Sequence, residues 1–172
     1  TWCLVGSEMC IRDSSKDPLC IAGVFGGLSS AVKSDTKEIL LESAYFNPTT
    51  IRKTAKRHNL STDASFRYER GCDPNITIYA LKRAALLIQE IAQGTISSKI
   101  FDYYPKKIND CKVDLYFENL YNLVGEKIGV GNVKSILNDL DIEILQEDKQ
   151  KLVLKIPTYR YDVTREIDAV SY

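Results

Sequence analysis

Apolar residues along this chain come in short runs, and their spacing alternates between strand-like and helical. Residues 19–25 (LCIAGVF) form an apolar block that reads as a strand ending in Gly26-Gly27. Glycine there permits positive φ and a close approach to the backbone. Residues 38–44, with Ile39, Leu40 and Leu41, read as a second strand. Asn47-Pro48 then has the form of a helix start, cap followed by proline, for a helix over 49–58 that Asn59 can end in left-handed geometry. Asp73-Pro74 repeats the device before a helix over 75–93, whose Ile76, Ala80, Ala84, Leu87, Ile88 and Ile91 are spaced by three and four and which Gly94 stops. Residues 96–102 look like a strand.

A polar connection over 103–111, with Pro105, Lys106 and Lys107, marks the domain boundary. Beyond it, 112–117 reads as a strand, followed by a short helix with Leu120, Leu123 and Val124 apolar. Gly125, Gly129 and Gly131 break the chain, and Asn132 caps a helix with Val133, Ile136, Leu137 and Leu140 on one face. Residues 142–146 and 152–156 alternate with period two around a polar turn at 147–150. Strand, two helices and a hairpin is the winged-helix order. The predicted class is α+β, with units at 18–102 and 112–172. Residues 1–17 have no period beyond 2–5, and GSEMCIRDS (6–14) looks like translated adapter read-through, so they are set aside as non-native.

Composition narrows the function classes. The 172 residues are 44% hydrophobic and 27% charged, with zero formal net charge, so any nucleic-acid contact must use local patches. No apolar run approaches the roughly 18 residues of a membrane span, and the start lacks the basic-then-apolar form of a signal peptide. The five cysteines (Cys3, Cys10, Cys20, Cys72, Cys111) include no CxxC pair, and the one histidine, His58, leaves too few ligands for zinc. Free thiols in a reducing cytosol fit this pattern.

Four motifs carry a family resemblance: AGVFGG (22–27), LLESAYF (40–46), RHNLSTDASFRYERGCDP (57–74) and PTYRYDVTREIDAV (157–170). In this order they resemble the bacterial phenylalanyl-tRNA synthetase beta subunit, from about residue 18 to 170. The resemblance implies the C-terminal part of a mixed α/β B3/B4 editing domain, then a winged-helix-like B5 domain. In that family B3/B4 hydrolyses tyrosine wrongly attached to the phenylalanine tRNA. It implies small residues at Gly26 and Ala64 to admit an aromatic ring, Glu42 to accept a hydrogen bond from the tyrosine hydroxyl, and Thr62 to place the ester or the attacking water. A site built to bond a hydroxyl rejects the analogue lacking it by about 10⁴–10⁵, because its buried acceptor is otherwise unpaired. The family's pocket also uses upstream residues, including a histidine whose place His58 does not occupy, so the 172-residue chain is expected not to edit alone.

The resemblance further implies Mg²⁺ at Asp162 and Asp168, where two family glutamates are replaced by Ser171 and Tyr172. It implies an alpha-subunit partner in an α2β2 assembly, tRNA, a cytoplasmic location, and ATP used by the parent ligase but not bound here.

Each of these residues also has a plainer reading. Glu42 suits an outward polar position or a pair with an arginine such as Arg67, and Gly26-Gly27 suits a turn. Thr62 or Asp63 suits a helix cap. Arg52, Lys53, Lys56 and Arg57 suit either a solvated face or contact with an RNA backbone. Asp162 and Asp168 suit the capping of a helix near Thr164. A nucleic-acid-binding or scaffold module is the alternative function, and the single cation of the second-unit helix, Lys134, argues against groove reading.

Overall fold

The fold is known from a computed structural model that describes the backbone of 3–6 and 9–13 and all of residues 18–171. The chain divides into two units: Thr1–Cys72 with Ile76–Phe101, and Asp73–Asn75 with Asp102–Tyr172. Helices and small antiparallel sheets together make it α+β, as expected from sequence.

In the first unit, β1 (Cys3–Gly6), β2 (Met9–Asp13), β3 (Pro18–Ile21) and β4 (Phe25–Gly26) form an antiparallel sheet in chain order. Strands β1 and β2 fall in the stretch where the sequence shows no period beyond residue 5; their hairpin pairs Cys3 with Arg12 and Gly6 with Met9. The rest of the expectation for 1–17 lies outside the described residues.

Helix α1 (Pro48–His58) begins as the sequence predicts, with the Asn47 side chain accepting the Thr50 N–H, and ends with Asn59 at φ 51°. Its inner face delivers Ile51 and Ala55 to a small buried core with Val24, flanked by Ile21, Phe46, Leu60 and Tyr68. The Phe46 and Tyr68 rings meet edge to face, 4.9 Å between centroids. Helix α2 (Asp63–Tyr68) packs beside α1.

Two predicted strands are absent. Residues 38–44 and 96–102 have no partner strand among the described residues, and Leu40 and Phe101 are each 88% exposed. Consecutive apolar residues signal a strand only if another edge satisfies their backbone groups. Helix α3 (Thr77–Ala92) is present, but Asp73 does not cap it: Ile76 stands at the N-cap without a side-chain bond, and Gln93, not Gly94, takes the left-handed end at φ 55°. The Asp73 carboxylate instead accepts the Asn75 N–H (2.9 Å) and the Thr158 hydroxyl (2.6 Å). No α3 residue is fully buried; of the predicted stripe Ala84, Leu87 and Ile88 are half-buried, and Ile76, Ala80 and Ile91 are exposed.

The second unit follows its predicted order: β5 (Cys111–Tyr116), α4 (Phe117–Val124), α5 (Val130–Asp139), β6 (Glu143–Glu147), β7 (Lys151–Ile156) and α6 (Glu166–Val170). Strand β7 lies centrally, antiparallel to β5 and β6. Alternation sends Leu152, Leu154 and Ile156 into a core with Val113, Leu115, Phe117, Leu120, Val133, Leu137 and Val163. On the other face Lys151 pairs with Asp114 (2.6 Å) and Lys155 with Glu143 (2.7 Å). Helix α5 starts two residues before the predicted Asn132 cap, with Gly129 at the N-cap and no side-chain bond.

Candidate functional site

The best-defined polar construction in the first unit is the join between α2 and the β3–β4 turn. Thr62, extended at φ −128° and ψ 161°, is the N-cap of α2. Its hydroxyl donates to the Val24 carbonyl at 2.6 Å and accepts the Ser65 N–H at 3.0 Å. Ser65, buried, returns both bonds: its Oγ accepts the Thr62 N–H and donates to the Thr62 carbonyl, each at 3.0 Å. A hydroxyl has one proton and two lone pairs. With that proton on Val24, the Thr62 oxygen keeps acceptor capacity only.

The three glycines around this turn differ in what the fold asks of them. Gly23 has φ +71°, and a Cβ there would lie 2.7 Å from Phe46 and 2.8 Å from Ile51. A Cβ on Gly27 would lie 2.2 Å from the Leu19 carbonyl oxygen. A Cβ on Gly26 meets nothing within 4 Å among the described residues, and Gly26 is not among those at positive φ. The positive φ expected at the diglycine is therefore found upstream at Gly23, and neither the backbone nor any described residue demands glycine at 26.

Ala64 is exposed on α2, one turn before Tyr68. Glu42 is exposed on the run between β4 and α1, and its charge reaches the Tyr68 phenol. Burial chiefly raises that phenol's pKa, with Cys72 and then Glu42 adding to it. Burial also pushes the Cys72 thiol up, against a smaller lowering by Arg67. Cys72 and Cys111 are free thiols.

Arg52, Lys53, Lys56 and Arg57 are exposed on α1, with His58 at its end. Arg52 donates to the Glu69 carbonyl at 3.2 Å, which brings the cationic face beside α2. There the Arg70 guanidinium lies 3.4 Å above the Phe66 ring centroid.

In the second unit, Asp168 is held by its own helix start. Arg165 donates from Nη2 to Oδ1 (2.7 Å) and from Nε to Oδ2 (3.2 Å), and the backbone N–H groups of Arg165 (2.9 Å) and Thr164 (3.2 Å) also donate to Oδ2. The Arg165 side chain, foremost, holds this carboxyl well below the usual carboxylate range. Asp162 is exposed in the preceding turn. Among the described residues no three His, Cys, Asp or Glu side chains gather as a metal would require. Asp162 and Asp168 do not fit an Mg²⁺ site, since Asp168 already has a cation and Ser171 gives its hydroxyl proton to the Asp168 carbonyl (2.9 Å). Lys134, the one cation of α5, pairs with Glu147 at 2.6 Å on an exposed surface.

Residues 4–93 match the B3/4 domain family. The chain belongs to that family. Residues 113–171 match the tRNA synthetase B5 domain. The phenylalanine–tRNA ligase beta subunit of Bacteroides fragilis (strain YCH46) is 50% identical over 158 residues, covering 92% of this chain and 19% of its own length. Those of Porphyromonas gingivalis and Geobacter sulfurreducens are 47% and 37% identical over 168 residues, covering 98% of this chain and 20% and 21% of their own lengths. The chain thus spans about a fifth of the length of the curated relatives it matches. Two domains in this order, with relatives at such identity, support a beta-subunit fragment, the resemblance carried by the four motifs.

The B3/4 match begins at residue 4, inside the stretch that the sequence pattern sets aside. Within the B3/4 unit the structure ties Thr62 to the glycine turn and brings Glu42 within electrostatic reach of Tyr68. Sequence reading gave residues 62–65 a capping role but not the reciprocal bonds of Ser65, because the usual capping box carries Glu or Gln at that position. It also missed the Phe66–Arg70 stack, whose signal was an aromatic on a short helix and an arginine four residues on, in the turn that follows.

Proposed function

We propose that the B3/4 unit contributes to hydrolytic editing, removing tyrosine esterified to the phenylalanine tRNA, within a phenylalanine–tRNA ligase beta subunit. The observation that carries this reading is Gly26. Among the described residues nothing would meet a side chain there, which suits a wall kept clear for a flat ring. Ala64 is the second small residue of that wall. Glu42, exposed beside Tyr68, accepts the phenolic O–H in a charge-assisted hydrogen bond that phenylalanine cannot offer. Thr62, limited to accepting, takes an O–H from water and leaves the water's lone pair free for the ester carbonyl carbon. Attack forms the new C–O bond, the ester C–O bond then breaks, and tyrosine and a tRNA with a free hydroxyl result. The aminoacyl ester is already activated, so positioning counts for more than a strong nucleophile.

At the level of the parent enzyme, we read the chain as part of a ligase that joins phenylalanine to tRNA with ATP, pairs with an alpha subunit in an α2β2 assembly and works in the cytoplasm. Among the described residues no helix is long and apolar enough to cross a membrane. Mg²⁺ and ATP belong to that parent reaction, and Asp162 and Asp168 are given no part in it here. Arg52, Lys53, Lys56 and Arg57 serve the tRNA backbone.

The test is Gly26→Val in the complete beta subunit carrying this sequence, assembled with its alpha subunit. Hydrolysis of Tyr-tRNA should fall at least about tenfold, because the new side chain fills the ring's space, while Phe-tRNA synthesis holds. Unchanged hydrolysis removes Gly26 from the pocket.

A further inference from the structure

We propose that Phe66 and Arg70 form a stacking platform for an unpaired base of single-stranded RNA, set beside the phosphate-binding cations of α1. The proposal rests on the tRNA-editing reading of this unit and assigns it a second kind of contact with the nucleic acid.

Phe66 is 54% exposed, unlike the buried Ser65 before it. The Arg70 guanidinium lies 3.4 Å over its ring. Two further bonds fix it there: Nη1 donates to the Phe66 carbonyl at 2.8 Å and to Glu69 Oε1 at 3.1 Å. An exposed phenylalanine and a long arginine each lose rotamer entropy when held, so a locked pair on the surface is already ordered for a ligand. Aromatic rings and guanidinium planes are the two surfaces on which splayed RNA bases stack.

Charge decides the class of ligand. Glu69 neutralises Arg70, so the platform is not itself a phosphate site and offers a flat face instead. The phosphate charge comes from next door. Arg52 donates to the Glu69 carbonyl at 3.2 Å, which fixes α1 against the platform. Lys53 and Lys56 are exposed on the same helix. Cations tracking a backbone beside an aromatic face make the usual single-strand binding arrangement. A duplex presents no free base face and would use only the cations.

The test measures binding of a fluorescent single-stranded oligoribonucleotide to the 172-residue chain by anisotropy, from about 50 to 200 mM salt. Phe66→Leu should weaken binding about 5- to 150-fold, the worth of one stacked base, without changing the salt slope. Phe66→Tyr should bind like wild type. Lys53→Ala with Lys56→Ala should lower the salt slope by about one per cation removed. Melting by circular dichroism checks that each variant is folded, and Phe66→Tyr keeps the comparison informative should Phe66→Leu melt early. Wild-type affinity in Phe66→Leu overturns the platform and leaves the phosphate contacts standing. Absence of any binding by the wild-type chain at low salt overturns both. Binding as proposed, in a chain whose complete enzyme never hydrolyses Tyr-tRNA, overturns the editing reading alone.

Discussion

The hydroxyl of Thr62 donates to the carbonyl of Val24 at 2.6 Å, across 38 residues of sequence. The bond joins the start of α2 to the β3–β4 turn, and Val24 is buried, so its carbonyl has little water to turn to. Thr62→Val removes the cap of α2 and orphans this acceptor. Together these cost about 2–3 kcal/mol. Thr62→Ser keeps both bonds and should stay within about 1 kcal/mol of wild type. Urea unfolding followed by circular dichroism gives both numbers. Equal stability of Val and Ser at 62 would mean that the bond contributes nothing.

The glycines around the same turn should separate in a melting experiment. Gly23→Ala forces a side chain into left-handed backbone and against Phe46 and Ile51, costing at least about 1–2 kcal/mol. Gly27→Ala drives a methyl into the Leu19 carbonyl and should cost about 1–3 kcal/mol. Gly26→Ala meets open space and should leave the melting temperature unchanged. A large loss at Gly26 would make it a structural glycine like its neighbours.

Asp168 should behave as a helix cap with an internal counterion. Removing it in Asp168→Ala exposes the N–H groups of Thr164 and Arg165 and frees the Arg165 guanidinium, lowering the melting temperature. Adding MgCl₂ should leave the wild-type melting temperature in place, because ligand binding to the folded state alone would raise it. A clear rise with Mg²⁺ but not with an equal ionic strength of NaCl would contradict the assignment.

Asp148 gives a pH signature in the second unit. Its carboxylate accepts the N–H groups of Gln150 (2.7 Å) and Lys151 (2.8 Å) in the β6–β7 turn. These bonds, first of all the one from Gln150, lower its pKa in the folded state. A lowered folded-state pKa stabilises above the ordinary carboxylate value near about 4 and loses that contribution as pH falls through the folded value. The stability gap between wild type and Asp148→Ala should therefore be largest at neutral pH and shrink on acidification. A gap that does not shrink as the pH falls below the ordinary carboxylate value would place its origin elsewhere.

Local chemistry made much of this legible from sequence. Asn47-Pro48 and Asn59 bounded α1 because capping is decided by a few neighbouring residues. Leu152, Leu154 and Ile156 declared β7 by strict alternation, and the order of the second unit followed from it. Where the signal depended on a distant partner, the reading failed. Residues 38–44 are apolar enough for a strand, but no edge among the described residues pairs with them. Asp73 has the form of a cap, yet Thr158, 85 residues away, takes its carboxylate. In the candidate site, Thr62 could be read as a cap from its neighbours, whereas the Val24 carbonyl that directs its proton could not. The difference between Gly26 and Gly27 appears only when a Cβ is placed on each.

The central claim is that the acid at position 42 distinguishes tyrosine from phenylalanine by accepting the phenolic proton. The measurement that tests it most directly is the rate of Tyr-tRNA and Phe-tRNA hydrolysis by the complete two-subunit enzyme bearing Glu42→Gln or Glu42→Ala. The expected result is a Tyr-tRNA rate reduced about 10- to 100-fold in Glu42→Ala, with smaller loss in Glu42→Gln, which retains a neutral acceptor, and little change for Phe-tRNA. Undiminished preference for Tyr-tRNA in Glu42→Ala would contradict it.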